Sequence, residues 1–285
     1  MARRWPAAAK LNLYLHVLGR RADGYHLLDS LVAFAAIGDE ISAEPAPALS
    51  LSVEGPQAPA LAGDPAANLV WRAAELLAAE TGCAPAAALT LVKRLPVASG
   101  IGGGSSDAAA SLRALDALWR LGLDETRLAA IGARLGADVP VCLAARASWL
   151  GGIGEAVDPA PALPAVTALL VNPGLALATP AVCKARQGPF SEPARFAAMP
   201  KDAAGLARLL AERRNDLTAA AVGLMPEIAR VLERLERLDG ALIARMSGSG
   251  ATCFALFAET AAAQAAAVLL AAEEPRWWVA AGRLC

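Results

Sequence analysis

Apolar and polar residues alternate near the amino end of the chain. Every second residue from 11 to 17 is leucine or valine, and Asn12, Tyr14 and His16 lie between them. Because the side chains of a β-strand point alternately to its two faces, this period of two predicts a strand with one apolar and one polar face. Lys10 precedes the strand on its polar side. The polar face is therefore a candidate wall of a binding site.

The rest of the first half predicts both strands and helices. Apolar runs between turn residues predict three strands, over residues 27–37, 49–53 and 88–95. A helix is predicted to start at Asp64-Pro65 and to stop at Gly82. Apolar residues spaced three or four apart predict two more helices, over residues 105–121 and 124–135.

A proline-rich stretch, residues 158–164, predicts a domain boundary, with domains over residues 1–158 and 159–285. Beyond it, four strands are predicted, over residues 166–171, 241–245, 252–257 and 277–281. Helices are predicted from Thr179-Pro180 onward and over residues 202–213, 226–238 and 260–272. This order of elements predicts an α+β fold with two domains.

Composition and charge narrow the classes of ligand. The chain has 285 residues with 26 basic and 27 acidic side chains, a formal net charge of −1. Such a balance does not attract nucleic acid or an anionic membrane, so we expect neither as a partner, and an anionic ligand must be bound locally. Five prolines in the uncharged residues 159–183 argue against a membrane helix, and the amino end lacks the pattern of a secretory signal. We expect a cytoplasmic location; the oligomeric state stays open.

The strongest chemical signal is a glycine-rich segment between a predicted strand and a predicted helix. Glycine lets a backbone approach a ligand closely, and the N–H groups at a helix start bind phosphate oxygens. No lysine follows the glycines, which excludes a Walker loop, and the dinucleotide-binding spacing of glycines fails as well. A flexible linker is the alternative. The residues of the segment are Pro96, Val97, Ala98, Ser99, Gly100, Ile101, Gly102, Gly103, Gly104, Ser105 and Ser106.

Hydrolase and metal chemistry have little support in the sequence. Neither this segment nor the small-residue stretch at 246–251 contains Gly-x-Ser-x-Gly, and His16 and His26 are the only histidines. Five widely spaced cysteines without a Cys-x-x-Cys pair favour reduced thiols over disulfides or a zinc site.

Residues 96–106 and the alanine-rich helix after them resemble the central motif of the galactokinase, homoserine kinase, mevalonate kinase and phosphomevalonate kinase superfamily. Further blocks are similar to one branch of that superfamily and occur in its order. They are Ala9-Lys10-Leu11-Asn12-Leu13, Gly19-Arg20-Arg21-Ala22-Asp23-Gly24-Tyr25-His26, Leu135-Gly136-Ala137-Asp138-Val139-Pro140, Asn215-Asp216-Leu217 and Ser247-Gly248-Ser249-Gly250-Ala251.

The resemblance implies an amino-terminal domain like domain 2 of ribosomal protein S5 and a ferredoxin-like carboxy-terminal domain. It implies ATP-dependent phosphorylation of the 2-hydroxyl of 4-diphosphocytidyl-2-C-methyl-D-erythritol, a cytidyl diphosphate sugar alcohol of the non-mevalonate route to isoprenoid precursors. ATP and Mg²⁺ follow from the same resemblance. The metal ligands stay unknown, because the hydroxyls of Ser105 and Ser106 are equally good helix caps.

The family pattern also implies roles for single residues. Lys10 and Asp138 become the catalytic pair, residues 96–106 hold the ATP phosphates, and four residues contact the acceptor: Asn12, Tyr25, His26 and Thr179. Taken alone, Lys10 is compatible with a solvated lysine at a strand start, and Asp138 with a helix cap before Pro140. Tyr25 and His26 are compatible with a hairpin aromatic and a surface imidazole.

Two departures from the family pattern bear on these roles. Ala98 and Ser99 stand where the family has glycines, and Cys183 stands where members carry an aromatic beside cytosine. Two rival functions remain: another small-molecule kinase of the superfamily, such as a homoserine or mevalonate kinase, and a non-catalytic nucleotide-binding regulator. The first would not need Tyr25 and His26, and the second would not need Lys10 and Asp138.

Overall fold

The computed structural model describes residues 3–285, which form both strands and helices. Its strands are β1 (Arg4–Arg20), β2 (His26–Glu44), β3 (Ser50–Glu54), β4 (Ala88–Val92), β5 (Ser148–Gly151), β6 (Ala156–Pro159), β7 (Thr167–Asn172), β8 (Ala241–Met246), β9 (Cys253–Phe257) and β10 (Trp278–Arg283). Its helices are α1 (Leu69–Thr81), α2 (Gly103–Trp119), α3 (Glu125–Ala133), α4 (Val139–Ala144), α5 (Thr179–Ala185), α6 (Ala203–Ala211), α7 (Thr218–Leu224), α8 (Glu227–Glu236) and α9 (Thr260–Glu273). The predicted α+β class is confirmed.

The chain packs into two compact units. Unit 1 contains residues 3–9, Gly38–Val97 and Gly102–Ala145, and unit 2 contains Lys10–Ile37, Ala98–Ile101 and Arg146–Cys285. Strands β1 and β2 and the glycine-rich segment each contribute residues to both units. The predicted domain boundary between residues 158 and 159 stays a prediction.

Unit 1 is a small sheet with helices. The end of β2 runs antiparallel to β4, with Ser42 opposite Thr90, and β3 runs parallel to β4, with Ser52 opposite Thr90. Helix α2 buries Leu112 and Leu115 together with several alanines. Alanine side chains are short, so neighbouring helices approach α2 closely and bury its apolar face.

Unit 2 contains two sheets. The first part of β2 pairs with β5, with Leu31 opposite Trp149, and β6 pairs with β5. The second sheet is antiparallel throughout and has the strand order β10-β7-β9-β8. Its chain order is strand, helices, two strands, helix and strand, the succession of the ferredoxin-like fold. Helices α8 and α9 bury Val231 and Leu270 in the core of this unit.

Several predicted elements differ from the structure at their ends. The strand predicted over residues 11–17 belongs to the longer β1, and its polar face is buried, with Tyr14 fully buried. The strand predicted to reach residue 95 ends at Val92, because the Asp39 carboxylate accepts the N–H groups of Arg94 and Leu95. The first helix begins at Leu69 rather than at residue 64, where a short 3₁₀ turn stands. Helix α7 and strands β5 and β6 were not predicted.

Among residues 3–285, no helix has both the length and the apolar composition that a membrane span requires. The cytoplasmic location stays a prediction.

Candidate active site

The glycine-rich segment joins β4 to α2 and adopts left-handed backbone angles at three alternate residues. The angle φ is +51° at Ala98, +74° at Gly100 and +66° at Gly102. Left-handed residues turn neighbouring peptide N–H groups to one side, where they form a concavity for an anion. Ala98 adopts this conformation although its Cβ costs roughly 1–2 kcal/mol there. Gly102 is the N-cap of α2 and offers no side chain to its first N–H groups.

In unit 2, the loop between β8 and β9 lies against the middle of this segment. Ser247 Oγ donates to the Gly100 carbonyl at 3.1 Å, and Thr252 N–H donates to the Ser99 carbonyl at 3.1 Å. A Cβ on Gly100 would come within 2.6 Å of the Gly250 carbonyl oxygen. Glycine at position 100 is therefore required by close packing as well as by its φ angle.

Asn215 supports the same loop through hydrogen bonds. Its Nδ2 donates to the carbonyls of Met246 and Gly248 at 2.9 and 2.8 Å, while its Oδ1 accepts the N–H of Leu217. Every polar atom of this buried amide is used within unit 2. The block Asn215-Asp216-Leu217 thus supports the loop that in turn supports the glycine-rich segment.

Lys10 and Asn12 lie in the part of β1 that belongs to unit 2, and both are only 4% exposed. The Lys10 N–H donates to the Ile101 carbonyl at 2.9 Å, and the Asn12 N–H donates to Ser247 Oγ at 3.1 Å. Asn12 Nδ2 also donates to Ser30 Oγ at 2.8 Å. The alternative that Lys10 is a solvated lysine is therefore wrong.

In unit 1, Ser106 lies in the first turn of α2, and Asp138 immediately precedes α4. Ser106 Oγ donates to the Ala8 carbonyl at 2.7 Å and lies 3.3 Å from the Sγ of Cys142, so this hydroxyl does not cap α2. Asp138 is the N-cap residue of α4, but its side chain makes no capping hydrogen bond. Helix capping therefore does not account for an aspartate at position 138. Ser105 is half-buried beside Ser106.

The residues expected to contact the acceptor lie in unit 2. Tyr25 is 60% exposed at the end of the turn before β2, and His26 is the first residue of that strand. Burial lowers the pKa of His26, and the charges of Arg186 and Arg20 lower it further, so its imidazole is neutral at pH 7. Thr179 Oγ1 lies 2.7 Å from Ser249 Oγ.

Sequence reasoning missed Arg186, whose charge acts on His26, and Phe190, which lies against Arg186. The Arg186 guanidinium lies 4.9 Å from the centre of the half-exposed Phe190 ring, and its Nη atoms donate to the Gly188 and Pro189 carbonyls. Arg186 Nε is buried and has no hydrogen-bond partner among residues 3–285. Cys183 instead packs against the apolar core of unit 2. The signal in the sequence was an aromatic four residues after an arginine, across a Gly-Pro turn.

Within residues 3–285, no three His, Cys, Asp or Glu side chains are grouped as a metal site.

Two family models match this chain. Residues 68–146 match GHMP kinases N terminal domain, and residues 195–273 match GHMP kinases C terminal.

Individual proteins are similar over nearly the whole length. A 4-diphosphocytidyl-2-C-methyl-D-erythritol kinase of Paramagnetospirillum magneticum is 52% identical over 278 residues, covering 98% of this chain and 97% of that protein. One of the same name from Paracoccus denitrificans is 56% identical over 288 residues, covering 99% and 97%. A crystal structure of 4-(cytidine 5'-diphospho)-2C-methyl-D-erythritol kinase is 36% identical, with a TM-score of 0.80 and 99% of each chain covered.

Proposed function

Because this chain belongs to the 4-diphosphocytidyl-2-C-methyl-D-erythritol kinase family, we propose that it transfers the γ-phosphoryl group of ATP to the 2-hydroxyl of 4-diphosphocytidyl-2-C-methyl-D-erythritol. The observation that carries this proposal is 52% identity over 98% of the chain to a kinase of that name. The enzyme is a phosphotransferase, and the cytidyl acceptor is favoured over homoserine or mevalonate.

The glycine-rich segment binds the ATP phosphates in this proposal. Left-handed angles at Ala98, Gly100 and Gly102 and the uncapped start of α2 provide N–H donors that suit phosphate oxygens. These donors are fixed before the ligand arrives, so they stabilise the charge of the transferring group without reorganisation.

Phosphate oxygens supply most ligands of a bound Mg²⁺, which neutralises part of the charge of ATP. This chain would add the hydroxyls of Ser105 and Ser106. Ser106 fits, because its Oγ uses its proton on the Ala8 carbonyl and keeps oxygen lone pairs, which hard cations prefer.

Lys10 and Asp138 are proposed to act on the acceptor hydroxyl. An aspartate orients a hydroxyl and accepts its proton. A lysine stabilises the negative charge that develops on the acceptor oxygen and on the transferring phosphoryl group. Two observations support these roles: Lys10 is buried beside the residues that support the glycine-rich segment, and Asp138 does not cap α4.

The cytidyl group is proposed to bind over the exposed aromatic residues of unit 2. A pyrimidine stacks on an aromatic face and forms hydrogen bonds along its edge, which exposed Tyr25 and neutral His26 provide. Asn12 and Thr179 complete the acceptor contacts. Phe190 takes the part that the family assigns to an aromatic at position 183, because this half-exposed ring lies against Arg186, whose charge acts on His26.

A coupled ADP-release assay tests the proposal. The purified chain is offered ATP, Mg²⁺ and one of three acceptors: the cytidyl substrate, homoserine or mevalonate. We expect turnover with the cytidyl substrate alone. Asp138→Asn should reduce kcat by about 10²–10⁴-fold, the range for loss of a general base, with little change in ATP binding.

Asp124→Asn is the matched control, because Asp124 is also an N-cap in unit 1 but caps α3 through its side chain. It should leave kcat unchanged. Turnover of homoserine or mevalonate would overturn the acceptor assignment, and ATP binding without any turnover would favour the regulator. A normal kcat in Asp138→Asn would refute only the assignment of Asp138 as the general base.

A further inference from the structure

A buried ion cluster lies beneath the start of α2, entirely within unit 1. Lys93 Nζ is 2.6 Å from Oδ2 of Asp39 and 2.6 Å from Oδ2 of Asp107. None of the three side chains is more than 4% exposed. These residues come from β2, from the residue after β4 and from α2, so the cluster joins three elements.

The cluster holds both ends of the glycine-rich segment. At the beginning, Asp39 Oδ1 accepts the N–H groups of Arg94 and Leu95 at 2.5 and 2.8 Å, immediately before Pro96. At the end, Asp107 belongs to the second turn of α2, and a Cβ on Gly103 would lie only 3.2 Å from Lys93 Nζ. The position of Lys93 therefore sets the distance between the two ends of the segment.

Stability alone does not explain the cluster. It contains one cation and two carboxylates, and Asp107 Oδ1 is buried without a hydrogen-bond partner among residues 3–285. An unsatisfied buried oxygen lowers stability, and apolar side chains of similar volume often stabilise as well as a buried ion pair. Hydrogen bonds and ion pairs are directional, so they fix the positions of the groups that they join more closely than apolar packing does.

We propose that Lys93, Asp39 and Asp107 are positioning residues that hold the glycine-rich segment in the conformation that binds the ATP phosphates. The inference rests on the proposed function, in which that segment binds ATP. Lys93 is 3% exposed and therefore acts through the segment rather than by touching ATP. Misplacement of binding groups by about 1 Å is enough to cause large losses of function.

Two substitutions at Asp107 separate positioning from folding. Asp107→Asn keeps an oxygen for Lys93 Nζ, and Asp107→Ala removes it. We expect Asp107→Ala to raise the KM for ATP and the Kd for ATP in calorimetry by about tenfold or more, with the KM for the acceptor within about twofold. Asp107→Asn should restore both values to within about threefold of the parent enzyme.

Ser111→Ala is the matched control for loss of stability in α2. Ser111 is fully buried, and its Oγ donates to the Asp107 carbonyl, so this variant loses a buried hydrogen bond one turn further along. It should lower Tm and leave the KM for ATP unchanged.

Unchanged ATP affinity in a folded Asp107→Ala variant would overturn the positioning role. So would equal ATP losses in Asp107→Ala and Ser111→Ala at equal Tm. Failure of the parent protein to bind ATP would instead refute the proposed function, which the same calorimetry shows directly.

Discussion

Asp107 of unit 1 and Asp216 of unit 2 are both buried carboxylates, yet their surroundings move their pKa values in opposite directions. Burial raises the pKa of Asp107 to about 7, with Lys93 opposing and Asp39 adding to the shift. Burial also acts to raise the pKa of Asp216, but hydrogen bonds from Val17 N–H and Ser191 and the ion pair with Arg214 bring it below the ordinary value.

The difference lies in the donors available to each oxygen. Asp216 Oδ2 accepts from Val17 N–H and Ser191 Oγ, both at 2.7 Å, and Oδ1 accepts from Arg214 Nε at 2.6 Å. Asp107 shares one ammonium with a second carboxylate, and its Oδ1 has no partner in the described part of the chain. The comparison shows that satisfied oxygens, more than burial, decide whether a carboxylate stays ionised.

Replacing the cation beside each of these two carboxylates should have the largest effect on stability. Lys93→Met leaves two buried carboxylates without a counterion, so we expect a loss of about 3–5 kcal/mol in the free energy of unfolding. Arg214 is 64% exposed, and Asp216 keeps two other donors, so Arg214→Met should lose no more than about 1 kcal/mol. Urea unfolding at pH 7 measures both values. Equal losses would contradict the comparison.

Asp107 and Asp216 should contribute to the pH dependence of stability with opposite signs. The folded pKa of Asp107 is raised above the unfolded value of about 4, so its stabilising contribution is present below pH ~4 and is lost as pH rises to about 7. The folded pKa of Asp216 is lowered, so its contribution is present above pH ~4 and is lost as pH falls. Each group adds a slope of at most about 1.4 kcal/mol per pH unit.

Urea unfolding over a pH series measures these slopes. Asp107→Asn should flatten the decline of stability between pH 4 and 7, and Asp216→Asn should flatten the decline below pH 4. If both variants changed the same limb of the profile, the assigned directions would be wrong.

Arg186, in unit 2, extends the comparison to a half-buried cation that stacks on an aromatic ring, and the expected effect is the smallest. Phe190→Ala removes the ring over which Arg186 lies. We expect the KM for the cytidyl acceptor to rise by about two- to tenfold, the value of one aromatic contact, with the KM for ATP unchanged. Steady-state kinetics measure both, with Cys183→Ala as the control expected to change neither. Equal increases in both KM values would indicate a structural role for Phe190.

Local patterns predicted most of the elements. The alternation after Lys10 and the helical spacing after Ser105 each placed an element correctly, because a strand or helix depends on residues two to four positions apart. The glycine-rich segment and its supporting blocks likewise stand in the sequence as continuous runs. Family membership and the kinase activity could therefore be inferred from the sequence, through the resemblance of these runs to known motifs.

Element ends and the polar network could not be read in the same way. The strand predicted to residue 95 ends at Val92 because the Asp39 carboxylate on β2 accepts the N–H groups of Arg94 and Leu95. Asp39 is too far away in the chain to belong to any local pattern around these residues. Phe190 was missed because only the folded chain shows that Arg186, which lies against its ring, also acts on His26, 160 positions earlier in the chain than Arg186.

By itself the sequence determined the α+β class, the order of most elements, the position of the glycine-rich segment and the family, since each rests on neighbouring residues or on whole motifs. Tertiary structure alone decided that Lys93 meets Asp39 and Asp107, which stand 54 and 14 positions away. Buried charges acquire their partners only when packing excludes water and brings distant elements together, so their pairing and pKa values depend on the completed fold.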